Sequence, residues 1–508
     1  MTMRHDRNST WRIGAALLPL VAFLVTAAPA RAETARAGGG GVTRTVLSPT
    51  AIVDTKGSHV GSVAALATRD QKGTADDPSN YVRFGSPNVA YAGYRSYTLP
   101  GAISPSDVTT ITLVANFRGP TASARTWTWS IYDFTNSAWV RLGDQNHCGG
   151  DAGTGKWPCD DLKRAPWKYV QYNAILAPGG SLADLVDAAT GEIRIRLRAA
   201  ETHAAKLDYE AVQVYSHAGP ITPWTPPVRT RWQWQLQGAK GHFPSTGGIN
   251  VDICARPYGS TTCVRPKVFD IDLYVDPSIA GRYGYRIERK AIDAIHASGR
   301  HVIGYVTAGD IERWRPDYEQ FVDFDQRCGG CLRGNPFSKR FPDEYWANLN
   351  NGKGQRDFML QMLRARTDRV AAAGFDGIEY DIVDTWANGE RVTGFKVSAQ
   401  TQLIYNEALA TMAHDDGLSV ALKNDAAQIP DLLPYFDYAI NEQCFQYDEC
   451  ASPKPGYRAF VKAGKPVFET EYRIDPSQFC PQANRWDFNS ILKAKNYTLY
   501  GRPWTPCR

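Results

Sequence analysis

Residues 374–384 read GFDGIEYDIVD, a turn followed by a strand-like run with two acids two positions apart. Side chains at that spacing share one face of a strand. Burying charged groups in a strand is costly unless they are paired or used, so the pattern indicates a site that uses carboxylates. The acids in such runs are Asp270 and Asp272 in VFDIDLY, Glu379 and Asp381 in GIEYD, Glu469 and Glu471 in VFETEY, and Glu442 in YAINEQC.

From about residue 231, strand-like runs alternate with helix-like runs such as 356–374 and 398–417, which end in glycine. Eight strand–helix units in about 280 residues predict an α/β fold, a (β/α)8 TIM barrel over 231–508. A doubly wound open sheet is the alternative, but no G-x-G-x-x-G or P-loop follows the first strand. The eight predicted strands are WQWQL at 232, VFDIDLY at 268, HVIGYVTAG at 301, GIEYDIV at 377, LSVALKN at 418, YAINEQC at 438, PVFETEY at 466 and NYTLYG at 496.

The preceding part of the chain has a different pattern. Short β-like runs between turn residues predict an antiparallel, jelly-roll-like β-sandwich over 43–217. A Pro-rich linker follows at 218–230. Trp127, Trp129 and Trp139 alternate along two of the runs, so one face should be core and the other could bind glycans. A carbohydrate-binding module and a spacer or wall-interaction domain are both open readings.

The first 32 residues resemble a secretory signal, with arginines, an apolar run and an Ala-Arg-Ala cleavage site. An uncleaved anchor is the alternative, although the small-residue end favours cleavage. Removing the segment takes away four arginines and one aspartate, so the net charge falls from +5 to +2. Nucleic-acid binding is therefore not supported, and no later stretch is long and apolar enough to span a bilayer. We expect an extracellular protein.

The ten cysteines of such a chain predict disulfides. CGGC at 328–331 could instead be a redox or metal motif, but it has no second metal-spaced pair and a structural bridge is favoured. The expected pairs are Cys148–Cys159, Cys254–Cys263, Cys328–Cys331, Cys444–Cys450 and Cys480–Cys507.

Catalytic groups in such barrels lie at the carboxyl ends of the strands. Two carboxyl groups facing each other across a pocket are what glycoside hydrolysis needs, one as acid and the other as nucleophile or base. Several further acids at the mouth favour a cationic substrate, and aromatic rings there could stack on sugars. The polar strand-end residues are Asp272, Asp310, Asp381, Asp384, Asn424, Glu442 and Glu471, with Tyr305, Trp314, Arg315, Lys423 and Tyr472 beside them.

The segment from about 231 to 508 resembles glycoside hydrolase family 114, the secreted endo-α-1,4-polygalactosaminidases. The motifs that carry this resemblance are WQWQL, FDIDLY, GYVTAGDIERWRPD, GFDGIEYDIVD, YNEALATMAHDDGLSVALKN, NEQCFQYDEC and VFETEY, in that order. The resemblance does not cover residues 33–220.

The resemblance implies Asp381 as the nucleophile and Glu442 as the general acid/base. A retaining mechanism is a further expectation, which a carboxylate separation of about 5 Å would support and one near 9 Å would not. The resemblance also implies a cationic amino-sugar polysaccharide as substrate. We expect a monomer that needs no metal or cofactor. The chain departs from the family after the first acid, where Ile382 and then Asp384 stand in place of the usual Asn or Asp. The expected substrate-binding residues are Asp272, Tyr305, Trp314, Asp384, Lys423, Asn424, Glu471 and Tyr472.

Some of these residues also have structural interpretations. Glu379 and Glu469 could be buried partners of Lys423 or could contact substrate. Arg315 is expected to pair with Glu312, and Asp270 could be a hydrogen-bonding group inside the barrel. Trp232 and Trp234 are expected in the core. A non-catalytic exopolysaccharide-binding protein and a hydrolase of another α-glycan are the alternative functions.

Overall fold

The architecture comes from a computed structural model. The predicted Cys148–Cys159 pair and residues 1–30 of the predicted signal lie outside the residues that the structure describes. Within the described ranges, no helix has the length and apolar character needed to cross a bilayer. The described residues are 31–33, 41–71, 74–119, 127–144, 167–199, 202–217, 219, 221–238, 241–276, 279 and 287–508.

Residues before 218 form two antiparallel sheets. Their strands are β1 (Arg31–Glu33), β2 (Val42–Leu47), β3 (Ala51–Lys56), β4 (His59–Val60), β5 (Val82–Phe84), β6 (Ala92–Thr98), β7 (Val108–Arg118), β8 (Trp127–Asp133), β9 (Ala138–Asp144), β10 (Lys168–Asn173), β11 (Glu192–Ala199) and β12 (Ala205–His217). The first sheet contains β1, β2, β4, β5, β7, β10 and β12, and β12 pairs with β2, β5 and β7. The second has the order β3-β6-β11-β8-β9.

Side chains from both sheets meet in one hydrophobic core. Alternation along β11 buries its isoleucines and leucine and turns its arginines outward, as expected for a strand with one covered face. Trp129 packs edge-on against Phe117 of the first sheet, with 4.9 Å between ring centroids. Trp127 and Trp129 are buried, whereas Trp139 is only half-buried and packs beside the outward Arg196. A glycan-binding role for the outer face stays a prediction.

A buried ion pair joins the two sheets. Arg95 on β6 donates from Nε and one terminal nitrogen to both carboxylate oxygens of Glu210 on β12, at 2.6 and 2.5 Å. Tyr97 and Trp129 also donate to this carboxylate. Both charged side chains are fully buried. Such a pair adds little net stability, but losing one partner strands the other charge in the core.

We expect Glu210→Ala to destabilise the N-terminal unit by about 3–5 kcal/mol, because Arg95 would then be buried without an anion. In calorimetry, the corresponding transition should fall by roughly 6–20 °C. Glu192→Ala is the matched control, since Glu192 pairs with the half-exposed Arg194 and should change stability by less than about 1 kcal/mol. Equal losses in the two variants would contradict the assignment of the core pair.

The C-terminal part is built from strands and helices in alternation. The strands are β13 (Trp232–Trp234), β14 (Val268–Asp272), β15 (His301–Thr307), β16 (Asp310–Glu312), β17 (Arg333–Pro336), β18 (Glu344–Ala347), β19 (Gly377–Asp381), β20 (Ser419–Lys423), β21 (Tyr438–Glu442), β22 (Val467–Glu471), β23 (Asn489–Leu492) and β24 (Thr505–Pro506). The α-helices are α1 (Arg289–Ala297), α2 (Tyr318–Arg327), α3 (Gln355–Ala373), α4 (Thr385–Asn388), α5 (Glu390–Thr393), α6 (Ala399–Asp415), α7 (Ile429–Leu432), α8 (Arg458–Lys462) and α9 (Pro476–Arg485).

Eight of these strands are parallel and follow chain order in one sheet, β13-β14-β15-β19-β20-β21-β22-β23, with β24 added antiparallel. The first and eighth strands are near each other, because Trp232 Nε1 donates to the Asn489 carbonyl at 2.7 Å. Trp504 Nε1 in turn donates to the Trp232 carbonyl at 3.0 Å. Mixed α/β architecture is therefore present, with the strand order predicted from the sequence.

The position predicted for the eighth strand was wrong. NYTLYG at 496–501 forms a turn and irregular backbone, and Tyr497 has a φ of 59°. The strand is β23, seven residues earlier, paired with β22. Its polar Asn489 and Ser490 hid the strand signal, yet both are buried, and Asn489 donates to the Val467 carbonyl at 3.2 Å.

A small antiparallel sheet interrupts the alternation between β15 and α3. It has the order β16-β18-β17 and pairs Asp310 with Trp346 and Glu312 with Glu344. Periodicity does not predict this insertion, because its strands have only three or four residues each. The insertion stands at the carboxyl end of β15 and forms one wall of the cavity described below.

Direct hydrogen bonds join the two halves of the chain. Arg369 on α3 donates to Thr112 Oγ1 at 2.9 Å and to Asn173 Oδ1 at 2.5 Å in the first sheet. The backbone N–H of Asn173 donates to Gln320 Oε1 at 2.7 Å, and Gln320 Nε2 donates back to the Asn173 carbonyl at 2.8 Å. Arg369, Thr112 and Asn173 are all buried.

Four disulfides stabilise loops of the C-terminal part, each at a pairing expected from the sequence. They join Cys254 to Cys263, Cys328 to Cys331, Cys444 to Cys450, and Cys480 to Cys507.

Candidate active site

The carboxyl ends of the parallel strands open onto a cavity of about 840 Å³. Parallel strands end at the same rim, so side chains that follow each strand converge there. Of the predicted site residues, Asp272, Tyr305, Trp314, Asp381, Asp384, Asn424, Glu442 and Tyr472 line this cavity. Lys423 and Glu471 are 1% and 0% exposed and lie beneath the lining.

Lys423, the last residue of β20, is the only cation among the described residues that contacts three carboxylates of this site. Its Nζ lies 2.7 Å from Asp381 Oδ1, 3.2 Å from Glu442 Oε2 and 3.3 Å from Glu379 Oε1. It also lies 4.8 Å from the ring centroid of Trp234. Burial disfavours the charge, but the three carboxylates outweigh burial and raise the pKa of Lys423 well above its usual value. The ammonium is therefore a fixed positive charge.

Asp381 ends β19 and is held on both oxygens. Oδ1 accepts from Lys423 and from the backbone N–H of Ile382 at 2.9 Å, and Oδ2 accepts from the Tyr305 hydroxyl at 2.8 Å. Burial would raise the pKa of Asp381, but Lys423 and these hydrogen bonds lower it below the usual value. Asp381 is consequently an ionised carboxylate in a fixed orientation.

The backbone directly after Asp381 adopts a left-handed conformation, with φ of 60° at Ile382. A β-branched residue in that region is a true outlier, and such strain often marks functional sites. The turn brings the Ile382 N–H back onto the Asp381 carboxylate. A close approach to Gly309 accompanies it, since a Cβ at Gly309 would meet the Ile382 carbonyl oxygen at 1.8 Å.

Glu442 ends β21 on the opposite side of Lys423. Its Oε1 accepts from the Tyr472 hydroxyl, and its backbone N–H donates to Asn424 Oδ1 at 3.2 Å. The Glu442 side chain is 30% exposed, whereas that of Asp381 is 15% exposed. Glu442 is thus the member of the pair that is more open to a ligand and to water.

Three further acids of the cavity form no ion pair with any residue that the structure describes. Burial and the nearby Glu312 raise the pKa of Asp310 well above its usual value, and burial with the same neighbour raises the pKa of Glu344 to about 9. Burial and the nearby Asp381 raise the pKa of Asp384 to about 6. A raised pKa favours the protonated form of these groups. A cation bound beside them would favour the ionised form.

Both carboxylate oxygens of Asp272 accept hydrogen bonds from within the protein. Arg315 donates to its two oxygens at 2.7 and 2.9 Å and also pairs with Glu312, as expected from the sequence. The pair holds β14 against the insertion. Asp272 still borders the cavity, so its charge contributes to the local field while its oxygens are largely occupied.

Glu469 has a different partner from the one considered above. It contacts Glu471 and Ser490, not Lys423, and burial together with Glu471 raises its pKa well above the usual value. Glu471 Oε1 accepts from the backbone N–H groups of Phe445 and Gln446, at 2.9 and 3.1 Å. Glu471 thus anchors the turn after Glu442. Glu379 does contact Lys423, and burial raises the pKa of Glu379 to about 7.

The insertion supplies cavity residues that sequence reasoning did not identify. The sole signal for them was the aromatic-rich run FPDEYW at 341–346. Tyr497 also borders the cavity, with its ring 4.7 Å from that of Tyr472. The unforeseen lining residues of the insertion are Phe337, Arg340, Phe341, Glu344 and Trp346.

A family model for glycoside hydrolase family GH114 matches residues 214–505, more than half of the chain. The chain belongs to glycoside hydrolase family 114. The family model for the N-terminal glycosyl-hydrolase-114-associated domain matches residues 66–209. The resemblance seen in the motifs is therefore confirmed, and the protein is a glycoside hydrolase.

Individual relatives of this family 114 chain are distant. A Deinococcus radiodurans protein described as uncharacterized is 26% identical over 200 residues, covering 37% of this chain and 61% of that protein. Ega3 of Aspergillus fumigatus, solved in complex with galactosamine, is 27% identical with a TM-score of 0.42, covering 55% of this chain and 96% of that chain. The glycoside hydrolase domain of PelA from Pseudomonas aeruginosa is 10% identical with a TM-score of 0.34, covering 53% and 96%.

We expect Lys423→Met to destabilise the protein by about 3–5 kcal/mol at pH 7, because buried carboxylates lose their cation. In the native protein, the lowered pKa of Asp381 stabilises the fold above the unfolded-state pKa, and this is lost as pH falls through the folded-state value. In the variant, the dependence of stability on pH has the opposite sign. Burial would raise the pKa of Asp381, so protonation relieves the strain as the pH falls from about 8 to about 5.

Thermal unfolding of both proteins across this pH range measures the effect. Lys462→Met, at an exposed site at the end of α8, is the control. A Lys423→Met deficit that is constant with pH would contradict the role given to the ammonium group.

Proposed function

We propose that this protein is a secreted, endo-acting hydrolase of α-1,4-linked galactosamine polymer, with Asp381 as nucleophile and Glu442 as general acid/base. The observation that carries the proposal is the pairing of these two strand-end carboxylates around one buried ammonium, at 2.7 and 3.2 Å. Both face the cavity, and both match the family motifs.

The two carboxyl groups differ in exposure, 15% for Asp381 and 30% for Glu442, and we assign them to different steps. Asp381 stays ionised, and its oxygens are aimed by Lys423 and Tyr305. In the first step, an Asp381 oxygen bonds to the anomeric carbon while protonated Glu442 gives its proton to the departing glycosidic oxygen. In the second, ionised Glu442 takes a proton from water as that water attacks the same carbon and releases Asp381. The proton on Glu442 is restored at the end.

The spacing of the pair supports retention of configuration. Asp381 Oδ1 and Glu442 Oε2 lie 2.7 and 3.2 Å from the same nitrogen, so they are at most about 5.9 Å apart. Retaining enzymes hold their carboxyl groups about 5–5.5 Å apart, whereas inverting enzymes need about 6.5–9.5 Å for an intervening water. This bound on one oxygen of each carboxyl group lies nearer to the retaining separation than to the inverting one, which supports direct attack by Asp381.

The charge of the cavity supports a cationic polymer as the substrate. Eight acidic side chains and two arginines line it. Glu344 and Asp384, whose pKa values are raised, would ionise beside the ammonium groups of unacetylated galactosamine. Trp314 and Tyr497 offer rings for stacking and for contact with ammonium groups.

The proposal extends to the fold and the domain arrangement of the enzyme. We infer a closed (β/α)8 barrel over 231–508, preceded by a jelly-roll-like β-sandwich over 43–217 and a linker at 218–230. Supporting it are the eight parallel strands in chain order and the bond from Trp232 to Asn489. Residues 1–32 would direct secretion, and the disulfides are compatible with an oxidising compartment.

We expect Asp381→Asn and Glu442→Gln each to lower the rate of polymer cleavage at least about 10³-fold, since each removes a group that acts in bond breaking. Purified protein is incubated with deacetylated α-1,4-galactosamine polymer, and products are sized by mass spectrometry. Asp431→Asn and Glu407→Gln, remote from the cavity lining, are the charge-matched controls. Full activity in either cavity variant would refute the assigned pair.

If the native protein retains the polymer without producing new reducing ends, it is a binding protein. Cleavage of another α-glycan alone would keep the catalytic pair and change the substrate.

We also expect newly formed reducing ends to appear first as the α anomer, because two displacements at one carbon restore its configuration. Proton NMR of the reaction during the first minutes distinguishes this from inversion, before mutarotation mixes the anomers. Initial β product would show that water, not Asp381, attacks the sugar.

A further inference from the structure

A second cavity of about 300 Å³ lies where the two halves of the chain meet. Tyr169, Gln171 and Tyr215 reach it from β10 and β12, and Tyr274, Arg289 and Arg369 reach it from the C-terminal half. The hydrogen bonds of Asn173 with Arg369 and Gln320 fix these walls relative to each other. The cavity is thus built by the interface and has a defined shape.

Two guanidinium groups at this cavity have only neutral partners among the described residues. Arg369 is 2% exposed and donates to the Ala365 carbonyl, Thr112 and Asn173. Arg289 donates to the Ala372 carbonyl at 2.8 Å. No carboxylate of the described residues lines this cavity, and Asp317 and Asp368 act on Arg369 only through electrostatics, without a hydrogen bond to it. An anion in the cavity could accept hydrogen bonds from both guanidinium groups directly and would be stabilised by their charge.

Two buried donors of the cavity wall also lack partners. Gln171 is 7% exposed and its Nε2 has no hydrogen bond, and the Nε of Arg369 likewise has none. Unpaired buried donors cost about 1–3 kcal/mol each, and they are rare unless a ligand or water satisfies them. Both donors need an acceptor, which an anionic oxygen supplies best.

The cavity volume and its aromatic walls indicate the size and shape of the ligand that carries this acceptor. The cavity volume is at the lower limit of ordinary small-molecule sites and exceeds what a bare inorganic ion would fill. Tyr169, Tyr215 and Tyr274 contribute aromatic surface, as sites for sugar rings do. Tyr274 also borders the active-site cavity, so the two cavities share a wall.

We propose that this junction cavity binds a monosaccharide-sized anion, a sugar carrying a carboxylate or phosphate group, held by Arg289, Arg369 and the Gln171 amide. This chemistry is opposite in charge to that of the acid-lined catalytic cavity. The site therefore goes beyond the proposed hydrolysis and does not depend on it. The ligand could be a uronic acid from an acidic glycan or a sugar phosphate, because both present anionic oxygens to the same donors.

The test is isothermal titration of the purified full chain with galacturonate, galactose 6-phosphate and neutral galactose. We expect at least one of the two anions to bind at least about tenfold more tightly than galactose. Gln171→Leu and Arg289→Met should each weaken that binding about tenfold or more. Arg458→Met, at an exposed position on α8, is the control and should leave it unchanged.

Thermal unfolding of the ligand-free variants shows whether a loss of binding is caused by a loss of folding. Gln171→Leu should not lower the unfolding midpoint, because it removes an unsatisfied donor. Binding of galacturonate alone identifies a carboxylate ligand, and binding of the phosphate alone identifies a phosphate ester. Absence of binding by both anions, equal binding of galactose, or anion binding that persists in both cavity variants would overturn the proposal.

Discussion

The buried ammonium group of Lys423 is the interaction on which the candidate site depends. It joins the ends of β19, β20 and β21 by contacting Glu379, Asp381 and Glu442. Each carboxylate would be unfavourable in this position alone, and the lysine would be unfavourable without them. The four groups are stable only together, so the geometry between Asp381 and Glu442 is set by electrostatics as much as by the backbone.

The acids of this domain are stabilised in two different ways. Asp381 and Asp272 each pair with a cation, Lys423 and Arg315 respectively. Glu469 and Asp270 have another carboxyl group as neighbour, and burial with that neighbour raises their pKa values so that a proton takes the place of the cation. The first way fixes acidic groups in defined orientations at the cavity. The second gives uncharged, protonated groups inside the sheet.

The position of the candidate site could be predicted because parallel strands all end at one rim. Residues at the ends of different strands are therefore close in space. The runs that end in Asp381 and Glu442 were recognisable from their alternation, and their approach follows from parallel pairing. Partners across the sheet were harder to predict. Glu469 looked equivalent to Glu379, but the register of β22 turns it towards Glu471 and Ser490 and away from Lys423.

Short polar segments were the other limit. β23 begins with Asn489 and Ser490, whose burial depends on neighbours that periodicity does not reveal. The insertion of β16, β17 and β18 has strands too short to show alternation, yet it supplies Glu344 and Trp346 to the cavity. Local pattern thus predicts the frame of a parallel sheet, whereas loops that build a wall of the pocket follow from tertiary contacts.

The bonds from Arg369 to Thr112 and Asn173 also bear on how such a chain can evolve. The two matched family segments, 66–209 and 214–505, are separated by only a few residues, and a charged side chain of one donates hydrogen bonds to the other. A descendant that lost the N-terminal segment would expose an arginine, and the helix that carries it, to solvent. Gene fission would therefore require compensating substitutions on α3. Loss or exchange of the associated domain would therefore change the surroundings of this helix in the hydrolase as well.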